Sequence, residues 1–386
     1  MLENCPYCHK NLNETWVTPY CSKDNELYGT QYPLNDDLRR SLSKGRLKCK
    51  KCASAIKNIK CANKECGKTL PAFVWDRNST NIAIIGAKGS GKSHFIAVLL
   101  NQLRRETGAQ FGIEVVFESQ EQRDYYNRNY WKPLYKDKQL LPRTKPHSQE
   151  KPAPFFIGIN SLKDKKLNST LVYYDFAGED LLNEKIINQY YDYLPRADGI
   201  FMLIDNIFSK DYDIEKRNDA IDMFEGIKRY FDTRPPVIAI VMTKRDEYKD
   251  RVKMQGIEDI VQNNEFSDIL GINPEGIAGR HKNAKDINER IRKNISLSKQ
   301  LIDAAPVSLS ELKSRIVNVS GRQEDTAFFT VSALNDAYDR ESNELTVPPS
   351  NPIDIELPLK WMLDRLNNRR ERVFVDPTAF PTSDDC

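Results

Sequence analysis

The sequence is poor in several things, and each shortage removes a class of function. No apolar run approaches the ~20 residues that a membrane-spanning helix needs. The start, MLENCPYCHK, offers neither a basic leader nor the apolar stretch of a secretory signal. A cytoplasmic protein with no membrane contact is therefore expected. The balance of 58 Lys+Arg against 55 Asp+Glu leaves a net charge of only +3. That is too little for the whole molecule to coat nucleic acid or to funnel acidic substrates. No internal repeat is evident. Cysteine is missing between residues 67 and 385, and Cys386 lacks the CaaX context of a prenylation site. The remaining seven cysteines, all within the first 66 residues, should be reduced thiols in a cytoplasmic chain.

Those seven form a pattern: Cys5-x2-Cys8, Cys21, Cys49-x2-Cys52 and Cys61-x4-Cys66. Two residues between cysteines let a tight knuckle aim both sulfurs at one ion, and Zn2+ prefers four thiolate or imidazole ligands in a tetrahedron. One or two structural zinc ions are expected, with an iron–sulfur centre or a redox dithiol as alternatives. Spacing does not decide which pairs share an ion, and a second complete site needs a further ligand, for instance His9. So short a segment, with few large aliphatic residues, needs the metal to fold. Between Arg39 and Lys68 stand eleven Lys/Arg and one acidic residue, Glu65. Nucleic acid is one reading of this basic run, but no aromatic residues are interleaved for stacking. Lysines offsetting the negative charge of thiolate-bound zinc are the favoured reading.

From about residue 78 the chemistry changes. Residues 81–86 (NIAIIG) read as a buried strand and His94 to Leu103 as a helix, with Gly86-Ala87-Lys88-Gly89-Ser90-Gly91-Lys92-Ser93 between them. Strand, GxxxxGKS, helix is the arrangement in which glycines let a loop wrap phosphates with its N–H groups inward, at the positive end of a helix dipole. Lys92 would neutralise the β- and γ-phosphates, and the Ser93 hydroxyl would hold Mg2+. A second strand, 171–174, runs into Asp175-Phe-Ala-Gly178-Glu179, where Asp175 can reach the Mg2+ through water and the Gly178 N–H can sense a γ-phosphate. Further strands at 199–204 and 237–242 follow, the latter leading into Thr243-Lys244-Arg245-Asp246. This tetrapeptide resembles the guanine-reading NKxD element: a carboxylate accepts from N1–H and the 2-amino group of guanine, and the Lys244 stem can cover the base. Thr243 in place of Asn loses the amide donor, which predicts a looser tie to the phosphate loop. A final strand, 327–331, ends in Ser332-Ala333.

These elements, in this order over residues 86 to 333, resemble a TRAFAC-class GTPase. With the cysteine-rich head, Leu141-Pro-Arg-Thr144 and Asp-Phe-Ala-Gly-Glu-Asp, the chain is similar to the prokaryotic double-GTPase families of conflict and defence systems. The resemblance implies an α/β fold: a Ras-like P-loop GTPase domain with a mostly parallel sheet, helical insertions and a small N-terminal zinc-binding module. It implies GTP/GDP and Mg2+ as ligands, a nucleotide-controlled switch, and a protein partner such as a second GTPase, adaptor or effector. In such proteins a Thr closes over Mg2+, here Thr144, and the Ser-Ala turn offers backbone N–H to the guanine O6. Glu179 stands where many small GTPases carry a water-orienting Gln. Its carboxylate would repel the γ-phosphate, so hydrolysis without a partner should be slow. Lys88 is either an internal positive finger or a solvated lysine; His94 follows directly on the loop.

The expected organisation is a cysteine-rich module over 1–77, a GTPase domain over 78–374, and a disordered tail over 375–386. The stretches 106–150 and 247–326 are too long for simple connections and should contain extra helices. Two other functions compete with a GTP-hydrolysing switch. One is a P-loop ATPase in which Asp246 plays no part; the other is a nucleotide-sensing scaffold with negligible turnover that delivers the zinc module to nucleic acid or protein.

Overall fold

A computed structural model describes residues 5–8, 10–12, 17–21, 23, 26–27, 32–56, 58–70, 80–86, 89–117, 119–142, 154–162, 168–174, 185, 197–205, 235–246, 284–304, 314, 323–339 and 342–375. The cysteine-rich head is a four-stranded antiparallel sheet of order β2-β1-β3-β4, built from β1 (Val17–Cys21), β2 (Glu26–Leu27), β3 (Asn58–Cys61) and β4 (Thr69–Leu70). Alternation along β1 buries Val17, Pro19 is placed inward with it, and Cys21 faces the same side. Helix α1 (Asp36–Ser43) begins at Asn35, whose side chain accepts from the Leu38 N–H at 2.9 Å, with Asp36 and Asp37 in its first turn. Leu12, Leu34, Leu42, Ile59 and Leu70 are buried, and Ile56 packs with Cys21 and Cys49.

The second sheet has seven strands in the order β11-β10-β9-β5-β8-β7-β6. They are β5 (Thr80–Gly86), β6 (Ile113–Phe117), β7 (Pro154–Ser161), β8 (Ser169–Tyr174), β9 (Gly199–Ile204), β10 (Val237–Met242) and β11 (Thr326–Thr330). The five strands from β11 to β8 are parallel, and β7 runs antiparallel to both its neighbours. Every residue of β9 and β10 is buried, as continuous apolar strands covered on both faces require. Helix α2 (Lys92–Gln102) follows β5 and buries Phe95 to Leu100 in the same core as Ile82 and Ile84. Among the later helices, α5 (Ala284–Ala304) packs on β11, and α6 (Leu357–Val375) on β10 and β9.

The mostly parallel α/β architecture is as expected. The stretch 106–150 holds α3 (Gly108–Phe111) and α4 (Gln120–Tyr126) but also the strand β6, which extends the sheet beyond β7. The extra helices are as expected, and the strand is an addition to them: Ile113, Val115 and Phe117 alternate, the signature of an edge strand with one face on a core. Two stretches flanking these helices, Leu103–Thr107 and Asn127–Lys136, are π-helical. Because β5 lies between β8 and β9, the chain leaves it to one side and returns on the other. A crevice opens at the carboxyl ends of such strands, and there Gly86, Asp205, Thr243 and Ser332 all stand.

Candidate nucleotide site and metal centres

The phosphate loop starts where β5 ends. A Cβ on Gly86 would lie 2.7 Å from Ser90 Oγ and 2.8 Å from Lys92 Cγ, so only glycine leaves room for the loop to close on itself. Gly89 and Gly91 take left-handed backbone angles, φ 74° and 70°, and Gly91 is the N-cap of α2 without a side-chain cap bond. Lys92 is buried and its ammonium donates to the Gly86 carbonyl at 3.0 Å. Ser90 is fully buried, and its hydroxyl has no partner among the described residues. Ser93 sits 3.4 Å, oxygen to oxygen, from the Tyr173 hydroxyl on β8. His94 accepts from the Leu141 N–H through Nε2 at 3.2 Å, which ties the first turn of α2 to the start of the LPRT segment.

The TKRD loop closes the other end. The Thr243 hydroxyl donates to the Ser90 carbonyl at 2.9 Å, with the Ile204 carbonyl at 3.2 Å as second acceptor. This corrects the expected looseness: a threonine hydroxyl reaches the phosphate loop directly, without an amide. Lys244 has a left-handed φ of 58°, and its ammonium meets both oxygens of Asp205 at 2.8 and 3.0 Å. Asp246 accepts a hydrogen bond from the Ser332 hydroxyl, so the TKRD and Ser-Ala elements are in contact. The Ser332 N–H donates to the Ile353 carbonyl at 3.0 Å, which leaves Ala333 as the member of that pair able to offer a backbone N–H.

Spacing gave no hint of what lies beneath. Arg245, the variable position of the TKRD element, is 1% exposed, and its guanidinium meets the Asp354 carboxylate at 2.7 Å. Arg290 of α5 pairs with the same carboxylate and lies 3.5 Å from Glu356, and Asn294 donates to Asp354 at 3.0 Å. Burial alone would raise the Asp354 carboxyl, but the guanidinium groups of Arg245 and Arg290 outweigh it and hold it at about 2. A buried charge lattice thus anchors the TKRD loop to α5 and to the segment before α6.

Of the remaining site residues, Ala87, Lys88, Thr144, Asp175, Gly178 and Glu179 lie outside the described residues, as do His9 and the tail beyond 375.

Two groups of thiols gather in the head, and the pairs interleave. Cys5 and Cys8 converge with Cys61 and Cys66, and Cys21 with Cys49 and Cys52. Sulfur–sulfur distances are 3.9 Å for Cys5–Cys66, 3.7 Å for Cys8–Cys61 and 3.7 Å for Cys21–Cys52. A tetrahedron with metal–sulfur bonds of about 2.3 Å has edges of about 3.8 Å, so the thiols already stand at ligand spacing. Hydrogen bonding from Cys5 pulls the Cys61 thiol down to about 5, whereas burial pushes Cys66 up to about 11. Filling this site must therefore release protons. The first group supplies a complete four-thiolate set and the second supplies three. Several cations of the basic run are engaged within the protein: Arg39 Nε donates to the Leu34 carbonyl, Lys60 lies 4.2 Å over the Tyr20 ring, and Lys68 pairs with Glu121. Between Cys5 and Cys8, Tyr7 stands edge-on to Phe156 of β7 at 5.6 Å, and its hydroxyl accepts from Gln122 at 3.2 Å. The turn between Cys5 and Cys8 itself docks the head on the large sheet.

The model of the Double-GTPase 2 family matches residues 80–318. The SaeC protein of Mycolicibacterium smegmatis, whose name proposes ESX-1 scaffolding and assembly, is 23% identical over 313 residues, 77% of each chain. Among solved structures, the Saccharomyces cerevisiae Ski7 GTPase-like domain bound to GTP is similar at 14% identity and a TM-score of 0.35, over 75% of this chain and 50% of that one. The septin GTPase domain of Chlamydomonas reinhardtii is similar at 15% identity and a TM-score of 0.28, over 77% and 97%. No helix among the described residues is long and apolar enough to cross a membrane.

Proposed function

The chain belongs to the Double-GTPase 2 family, and from that premise we propose that it is a Mg·GTP-dependent switch whose hydrolysis is slow until a protein partner completes the site. The observation that carries this reading is the bond from Thr243 to the Ser90 carbonyl together with the Ser332–Asp246 contact. These join the phosphate loop, the TKRD loop and the Ser-Ala turn at one edge of the sheet, with Asp246 half-buried. In this reading Gly86 to His94 surround the phosphates, Lys92 leaves the Gly86 carbonyl for the β- and γ-phosphates, and Ser93 leaves Tyr173 for Mg2+. Asp246 accepts from guanine, the Lys244 stem covers it, and the Ala333 N–H meets O6. Thr144 and Gly178 report the γ-phosphate, with Asp175 behind the metal and Glu179 beside the attacking water. Zn2+ in the interleaved thiols of residues 1–77 holds the head against β7. A cytoplasmic setting, and a place in a conflict or defence system beside a second GTPase or adaptor, extend the same proposal.

Asp246→Asn tests it. Preference should move from guanine toward xanthine nucleotide, because an amide offers a donor where the carboxylate accepted. ATP binding that equals GTP binding and ignores the substitution would sink the guanine reading. A second reading, a scaffold that binds nucleotide and hardly turns it over, is favoured by the name of the SaeC relative. Single-turnover hydrolysis in the presence of candidate partners separates the two.

A further inference from the structure

At the far end of α2 from the phosphate loop, the two π-helical stretches face each other across a groove of about 750 Å3. Each stretch has a local cause. A Cβ at residue 108 would lie 2.1 Å from the Leu103 carbonyl oxygen, so Gly108 alone lets the turn before α3 widen. Pro133 has no N–H and crowds the preceding turn, which the wider i→i+5 pattern relieves; the Asp137 N–H accordingly donates to the Lys132 carbonyl at 3.0 Å. Widening brings residues four to five apart onto one face. Arg128, Lys132 and Lys136 thereby line one wall, and Arg104 and Arg105 the other.

Five cations and one carboxylate, Asp124, line a space of ligand size, and Lys132 also lies 3.9 Å from the Asp137 carboxylate. Arg104 is pre-oriented over the rings of Phe117 and Tyr126, at 5.3 and 5.9 Å. Trp131, half-buried and stacked on Tyr135 at 6.2 Å, gives the same groove an aromatic surface, and the amide of buried Asn101 lies in its lining. We propose that this groove is a second anion site, distinct from the nucleotide site, that takes a small ligand bearing two or three linked phosphates. A chain of cations on opposite walls suits a compact polyanion better than isolated lysines on a flat face would, since each phosphate then meets charge from both sides. The short span of the groove, whose lining cations all lie within residues 104–136, favours a small molecule over a nucleic acid, which needs a track of cations continuing past it. This proposal does not depend on the guanine reading.

The test uses the full chain carrying Lys92→Ala, which weakens phosphate binding at the loop after β5, with inorganic tripolyphosphate as the probe in calorimetric titration. Binding should persist in that background and weaken by about tenfold or more when Arg128→Glu and Lys132→Glu are added. Both side chains are exposed, so the fold should tolerate their loss; Arg128→Ala with Lys132→Ala gives the same direction without charge reversal. Trp131 fluorescence should respond to the probe in the Lys92→Ala protein. Absence of binding in that protein, or binding that ignores both groove pairs, overturns the proposal. So does binding of a short single-stranded oligonucleotide at this groove with no binding of tripolyphosphate, which would assign it to nucleic acid.

Discussion

The two ends of the candidate nucleotide site are built on different physics. The phosphate end is backbone: glycines at 86, 89 and 91 create the room and the curvature. The base end is side chain: Arg245, Asp354, Arg290 and Asn294 form a buried lattice under the loop that carries Asp246. A loop that must wrap phosphates with N–H groups gains from small residues and from the freedom to rearrange. A loop that must discriminate one base edge gains from being held still. The contrast predicts that damage at the base end shows first as lost stability, and damage at the phosphate end first as lost binding.

The largest expected effect tests the base end. Asp354→Ala leaves the buried Arg245 guanidinium without its carboxylate and removes one of the two carboxylates that Arg290 meets. Breaking a buried pair in this way costs about 3 to 5 kcal/mol, read as a lower urea midpoint. A loss below about 1 kcal/mol would mean that water replaces the carboxylate there, and the lattice would then not be what holds the loop.

Next comes the phosphate end. Gly86→Ala forces a methyl to within 2.7 to 2.9 Å of Ser90 and Lys92 side-chain atoms. Overpacking costs about 1 to 3 kcal/mol, but the Lys92 stem can yield, so most of the cost should appear as weaker nucleotide binding rather than as unfolding. Titration calorimetry beside thermal melts separates the two. A variant that binds nucleotide like the parent would erase the contrast drawn above.

Acid sharpens the comparison through Asp354 alone. Its carboxyl is held at about 2 against an ordinary 3.8, so its folded-state value is depressed. Stability from this group is fully present above about pH 4 and is lost as pH falls through about 2. The shift corresponds to roughly 2 kcal/mol. Parent and Asp354→Asn should therefore differ in the slope of stability with pH between about 4 and 2, and run parallel at higher pH. Parallel slopes throughout would mean that the guanidinium groups do not set this carboxyl.

What could be read in advance divides along the same line. The phosphate loop is a contiguous pattern whose residues act through backbone geometry, so strand, glycines and helix declare it without tertiary knowledge. The lattice is illegible because Arg245 and Asp354 lie 109 residues apart, and an Arg inside a TKRD element looks like an exposed loop residue until its burial is known. The strand β6 carried its own signal in the alternation of Ile113, Val115 and Phe117, masked by a stretch otherwise read as helical. Gly108 and Pro133 were signals of the π-helical turns, yet each is equally a sign of an ordinary break. The cysteines declared candidate metal sites by spacing, but their interleaving depends on β1 pairing with β3, a tertiary fact that local spacing does not contain.

The smallest expected effect bears on whether the two ends communicate. Thr243 ties the TKRD loop to the phosphate loop through its hydroxyl, which donates to the Ser90 carbonyl. Thr243→Val keeps the volume and removes the donor, leaving a buried carbonyl to find another partner. A cost of about 1 kcal/mol follows, small against the lattice, and it should appear in stability and nucleotide affinity together because the bond spans both loops. Thr243→Asn, which restores a donor on a longer arm, should recover part of the affinity. If Thr243→Val changes stability but not affinity, the phosphate loop positions itself without help from the base end, and the two ends are independent modules that merely share an edge of the sheet.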